Sequence, residues 1–159
     1  MVQKKQETFA EMTSESITNF LAKLGPDSKP QWGDMSAQQM VEHLEYTYRI
    51  ASGQIQDFEI STPEKYLERT HETLYNYKKM PRDFDFPLAE QAEMVKLKHP
   101  DLTKAKEKMI EARDEYLAYF KGNDEARTKN VVFGELNRFE WYLLERKHLN
   151  HHFEQFNLL

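Results

Sequence analysis

The chain has no cysteine in its 159 residues. That excludes disulfides and a catalytic thiol of its own, and leaves His, Asp and Glu to hold any metal. Glycine is scarce, at five, and runs of Val or Thr are few, a pattern that points to an all-helical protein. No apolar run approaches the roughly 20 residues a membrane helix requires, and the opening MVQKKQETFAEM does not read as a signal peptide. The cytoplasm is therefore the expected location, although a cysteine-free chain is indifferent to redox state. A basic excess is also missing. Lys and Arg number 22 against 27 Asp and Glu, a net charge of −5, and no basic stripe suggests a nucleic-acid partner.

What is present suffices for a packed core. Hydrophobic residues make up 39% and aromatics 13% of the chain, which excludes general disorder despite the high charge content. The length suits a single domain over residues 1–159. A first helix is expected over about residues 5–24, with Phe9, Met12, Ile17, Phe20, Leu21 and Leu24 on its apolar side, stopped by Gly25–Pro26. Residues 36–53 open with a capping box, Ser36 with Gln39, and close on Gly53. Residues 54–100 are less regular. They offer one short helix within 61–80, then the proline-bounded MPRDFDFP as an extended crossing segment. A third long helix runs from Asp101 to Gly122, and a loop is expected over 123–136. A second capping box, Asn137 with Glu140, starts the last helix. The expected fold is an all-α four-helix bundle with a long irregular connection between its second and third helices.

Three of the six histidines fall within KHLNHHFEQF, residues 147–156. A helix turns about 100° per residue, so His148 and His152 lie about 40° apart on one stripe, whereas His151 points elsewhere, toward a solvated edge. Two imidazoles at i, i+4 can share a metal ion. HxxxH alone is a weak signal, and exposed histidines on an amphipathic helix are the ordinary alternative. His43, mid-helix between apolar neighbours, is the best candidate for a third ligand. His71 and His99 are expected at the surface. A rival constellation pairs the Glu-x-x-His spacings Glu145/His148 and Glu68/His71 with Glu42 and Glu111 as a di-iron carboxylate site, but it leaves His43 and His152 without a role.

The segments WGDMSAQQMVEHL (32–44), MPRDFDFP (80–87) and VVFGELNRFEWYLLERKHLNHHFEQF (131–156) together resemble a branch of the DinB-like superfamily. The resemblance covers most of the chain in the right order. It implies a four-helix bundle with a divalent metal at one end, held by one His of the second helix and an HxxxH of the last. Residue by residue these are His43, His148 and His152. Relatives often carry His-Pro ahead of the Phe-Gly pair, where this chain has Val131-Val132.

Three imidazoles leave an ion such as zinc or nickel with open positions, as in catalytic sites. The resemblance implies metal activation of a low-molecular-weight thiol, for transfer to a small-molecule substrate or for isomerisation; activation of a water for hydrolysis is the other enzymatic possibility. A non-catalytic metal- or ligand-binding module, and a structural bundle with a second copy of the chain as partner, are the readings outside enzymology. Glu42, Glu145, Gln155 and Tyr46 are candidates to orient ligands or line the pocket. Trp32 and Trp141 are expected to pack the core, and Tyr46, Tyr48, Tyr116 and Tyr119 its edge.

Overall fold

A computed structural model describes residues 9–82 and 96–159. These residues are mostly helical. Five α-helices, α1 (Ser14–Ala22), α2 (Ala37–Ala51), α3 (Glu64–Glu72), α4 (Leu102–Phe120) and α5 (Arg138–Gln155), are joined by loops, and a 3-10 turn, Thr73–Tyr75, extends α3. Strands β1 (Thr128–Asn130) and β2 (Gly134–Leu136) pair antiparallel, Thr128 opposite Leu136. Among the described residues, no helix is long and apolar enough to cross a membrane.

Local chemistry sets the helix starts. Ser36 Oγ accepts from Gln39 N at 3.1 Å while Gln39 Oε1 accepts from Ser36 N at 2.9 Å. The same reciprocal pair forms between Asn137 and Glu140, and Asp101 caps α4 through Lys104 N. Each box satisfies backbone donors that the first turn leaves without an intrahelical partner.

The first helix is shorter than its apolar spacing suggests. It starts at Ser14 behind a Thr13–Ser16 capping box. Residues 9–13 are not helical because their backbone is engaged elsewhere: Ala10 N donates to Asn150 Oδ1 at 2.8 Å and Ala10 O accepts from Asn150 Nδ2 at 3.0 Å. The part of the expected helix before Phe9 lies outside the described residues, as does the expected crossing segment beyond Arg82. The loop expected over 123–136 contains the β1–β2 hairpin instead. Strands of three residues are too short for an alternating pattern to declare itself. Thr128 anchors the hairpin, donating from Oγ1 to Ala51 O and accepting from Trp141 Nε1, both at 2.7 Å.

Core residues come from α1, α2, α4, α5 and β2. Ile17, Met40, Leu44, Met109, Phe120, Trp141 and Phe153 are all fully buried in one cluster. Each such side chain contributes about 1.5–3 kcal/mol by leaving water. α2 packs along α4 and touches α5. α5 is buried on nearly every side rather than along one stripe. Lys147, Asn150 and Gln155, polar residues that would mark a solvent face in isolation, are all buried. Lys147 Nζ donates to Thr73 O, Asn76 Oδ1 and Lys78 O at 2.9, 2.7 and 3.0 Å, and Asn150 and Gln155 donate to Ala10 O and Trp32 O, so each of these three side chains meets the backbone of another segment.

Candidate metal centre

His43 stands in the middle of α2, and His148 and His152 stand one turn apart on α5. The packing of the two helices brings the three rings together. His148 Nε2 lies 2.9 Å from His43 Nε2 and 3.0 Å from His152 Nε2. Ring centroids are 4.6–5.0 Å apart, and the rings meet edge to face. All three are buried, and together they form a group whose ligand atoms fit around a single ion.

The donor set suits a cation. His152 Nδ1 faces Gln155 Oε1 at 2.8 Å, and Gln155 Nε2 donates to Trp32 O at 3.0 Å. The second bond fixes which end of the amide is oxygen, so the imidazole N–H of His152 sits on Nδ1 and its Nε2 presents a lone pair. His148 Nε2 faces two other ring nitrogens at once, and one proton cannot serve both. A positive ion among them removes that conflict. Metal–nitrogen bonds of about 2.0–2.1 Å place two nitrogens about 2.8–3.0 Å apart at right angles and about 3.3–3.4 Å apart in a tetrahedron; the separations of 2.9 and 3.0 Å lie at the right-angle end. Three protein ligands would leave an ion with further coordination positions to fill.

Burial keeps the rings in the ligating state. It lowers the pKa of His43 to about 4, with His151 adding a smaller effect. Burial first, then the neighbouring histidines, takes His148 and His152 well below their ordinary value. All three are neutral at pH 7.

The remaining candidates take other places. His151 is half-buried, edge-on to both His152 and Trp32 at 5.0 and 5.5 Å, and does not join the triad. Glu145 accepts from Arg113 Nε at 2.6 Å and Tyr48 Oη at 2.8 Å; the Arg113–Glu145 pair is buried, and the guanidinium also reaches Ser14 and Met12. Glu42 accepts from Gln38 and from Lys98 N. Glu68 and Glu111 are exposed, so the four carboxylates of the di-iron alternative do not converge. Tyr46 is half-buried beneath Lys98, 5.1 Å from its ring. Trp141 is a core residue, whereas Trp32 is only half-buried, its ring 4.0 Å beneath the Arg82 guanidinium. Tyr48 and Tyr116 are buried, and Tyr119 is exposed.

His71 and His99 are half-buried rather than superficial. Each is paired with a buried carboxylate, His71 with Glu140 and His99 with Glu45 at 2.6 Å. These partners lie 69 and 54 residues away, and no local sequence signal announces them.

His148 also contributes to the wall of a 390 Å³ cavity between α2, α5, the 3-10 turn and the hairpin. Val131 and Val132 lie in this wall. The chain therefore presents apolar surface beside the triad at that position. Comparison with known proteins finds no matching family model, curated protein or solved structure.

Proposed function

We propose that the chain is a divalent-metal-dependent enzyme of DinB-like type, in which His43, His148 and His152 hold zinc or nickel and a small molecule reaches the open side of the ion. In this reading α1, α2, α4 and α5 are the four helices of the bundle, and residues 52–101 are its long connection. The observation that carries it is the meeting of three buried, neutral Nε2 atoms beside a cavity. When bound, the ion supplies Lewis acidity that lowers the pKa of a coordinated thiol or water.

The chain's own residues orient and enclose. Gln155 holds the His152 ring, the core around Trp141 and Phe153 fixes α5, and the cavity receives the substrate. Thiol transfer is the favoured reaction: sulfur bonds to an electrophilic carbon, the leaving group departs with its electron pair, and the thiol proton passes to solvent.

Metal analysis of protein purified without a histidine tag is the first test. One equivalent of metal, and a lower Tm with chelator, are expected. Absence of both overturns the site. Thiol transfer is then measured with monochlorobimane, from which chloride leaves, comparing wild type with a folded His148→Ala variant. A rate lost in the variant supports the enzyme; metal binding with equal background rates leaves a non-catalytic metal-binding module.

A further inference from the structure

The cavity beside His148 has walls that specify a ligand. Its volume of 390 Å³ lies within the range of about 300–1,000 Å³ common to small-molecule sites. Leu74, Val131, Val132, Phe133 and Leu144 form an apolar side. The polar side is biased toward donors. Asn130 Oδ1 accepts from Val132 N and Phe133 N, both at 2.9 Å. Asn76 Oδ1 accepts from Lys78 N at 3.0 Å and from Lys147 Nζ at 2.7 Å. With both amide oxygens engaged, the NH2 groups are what these two asparagines offer a ligand. The hydroxyls of Thr47, Thr70 and Thr73 bond to backbone carbonyls and can rotate to either role.

Charge points the same way. Among the described residues, the cavity wall contains Lys78, Lys79 and Lys147 and no carboxylate; Lys79 is paired with Glu154 outside the wall, at 3.3 Å, so Lys78 and Lys147 set the wall's charge. Lys147 is buried and held in place by three acceptors, so its charge is a fixed feature of the site. A ligand with an apolar body fits one side, and an anionic, acceptor-rich head fits the other.

We infer that this cavity binds a small organic carboxylate, its apolar body against Val131, Val132, Phe133 and Leu144 and its head received by the Asn76 and Asn130 amides within reach of the lysines. The inference rests on the metal reading of His148 only for the claim that this carboxylate is the substrate; binding itself does not require the ion.

Hexanoate is the probe, with hexylamine and hexanol as its cationic and neutral counterparts, titrated into the full chain with and without zinc. Hexanoate is expected to bind at least tenfold more tightly than either counterpart. Val132→Trp, which fills the apolar side, should weaken hexanoate tenfold or more and leave zinc stoichiometry unchanged. Asn76→Asp keeps both acceptor bonds but exchanges an NH2 for negative charge, and should weaken hexanoate while narrowing its advantage over hexylamine. Equal binding of hexanoate and hexylamine, or hexanoate binding unchanged in both variants, overturns the inference. Zinc binding without hexanoate binding defeats the cavity inference alone. Selective hexanoate binding without zinc binding supports the cavity and defeats the metal reading alone.

Discussion

Gln155 Oε1 faces His152 Nδ1 at 2.8 Å, and the same amide donates to the backbone oxygen of Trp32 at 3.0 Å. One side chain thus sets the tautomer of a candidate ligand and ties it to the loop that precedes α2. Outer partners of this kind typically contribute about 10–100-fold to metal affinity. Gln155→Ala should weaken zinc binding by that order, measured by competition with a chromophoric chelator. Gln155→Glu keeps an acceptor for Nδ1 and should retain most of the affinity. Equal affinity in wild type and Gln155→Ala would show that the amide has no part in setting the ligand.

Glu145 provides a contrasting case, three residues before His148 in sequence but, through its pair with Arg113, structural in its contacts. Both side chains are about 93% buried, with 7% of each exposed. Burial, then the neighbouring Glu145 carboxylate, raises the Tyr48 pKa well above its ordinary value, so Tyr48 remains a hydrogen-bond donor. Removing one partner of a buried ion pair costs about 3–5 kcal/mol because the other charge is stranded. Glu145→Ala should lower stability by that order in denaturant unfolding, while the protein that remains folded keeps its zinc stoichiometry. Loss of metal in Glu145→Ala without loss of stability would instead show that Glu145 takes part in holding the metal.

Stability of the metal-free protein should fall with acid over a window set by the buried imidazoles. His43 titrates near 6.5 when exposed and near 4 in the fold. Between those values the unfolded chain binds a proton that the folded chain does not, so lowering the pH favours unfolding. The contribution is complete above about pH 6.5 and lost on the way to pH 4. At about 1.4 kcal/mol per unit, His43 alone accounts for roughly 3 kcal/mol, and His148 and His152 act in the same direction. Chelator-treated protein should show this slope in melts across pH 4–7.5, and His43→Asn should flatten it. Zinc should raise Tm at pH 7.5, with the increment disappearing toward pH 4 as protons compete for the same nitrogens.

How much of this was legible in the sequence follows from where each signal resides. Helix starts at Ser36 and Asn137 are local, since a cap and its partner three residues on lie within four consecutive residues. The separation of His148 and His152 from His151 is equally local, a consequence of helical rotation. That the rings meet His43 is not local; composition and spacing nominated that residue only as a candidate. Burial of Lys147 and Asn150 is hidden for the same reason, and so is the partner that holds Gln155, although that residue's place beside His152 makes it a candidate to orient a ligand. Their partners are the backbone near residues 73–78, Ala10 and Trp32, all distant in the chain. The apolar spacing of Phe9 and Met12 misled because the Asn150 amide claims the Ala10 backbone that a longer helix would need.

Gly33 allows a final test of the loop behind the triad. Its φ of +76° suits glycine, and a Cβ there would stand 3.2 Å from Gln155 Nε2. Gly122 is the matched control, with φ +71° and nothing within 4 Å of a Cβ. Both alanine variants should lose about 1–2 kcal/mol to the left-handed backbone. Only Gly33→Ala should also press on the amide that orients His152, so only it should weaken zinc binding. Thermal melts read the shared cost, and chelator competition reads the difference. If the two variants bind zinc alike, the amide tolerates displacement and the Trp32–Gln155–His152 chain does not transmit strain to the site.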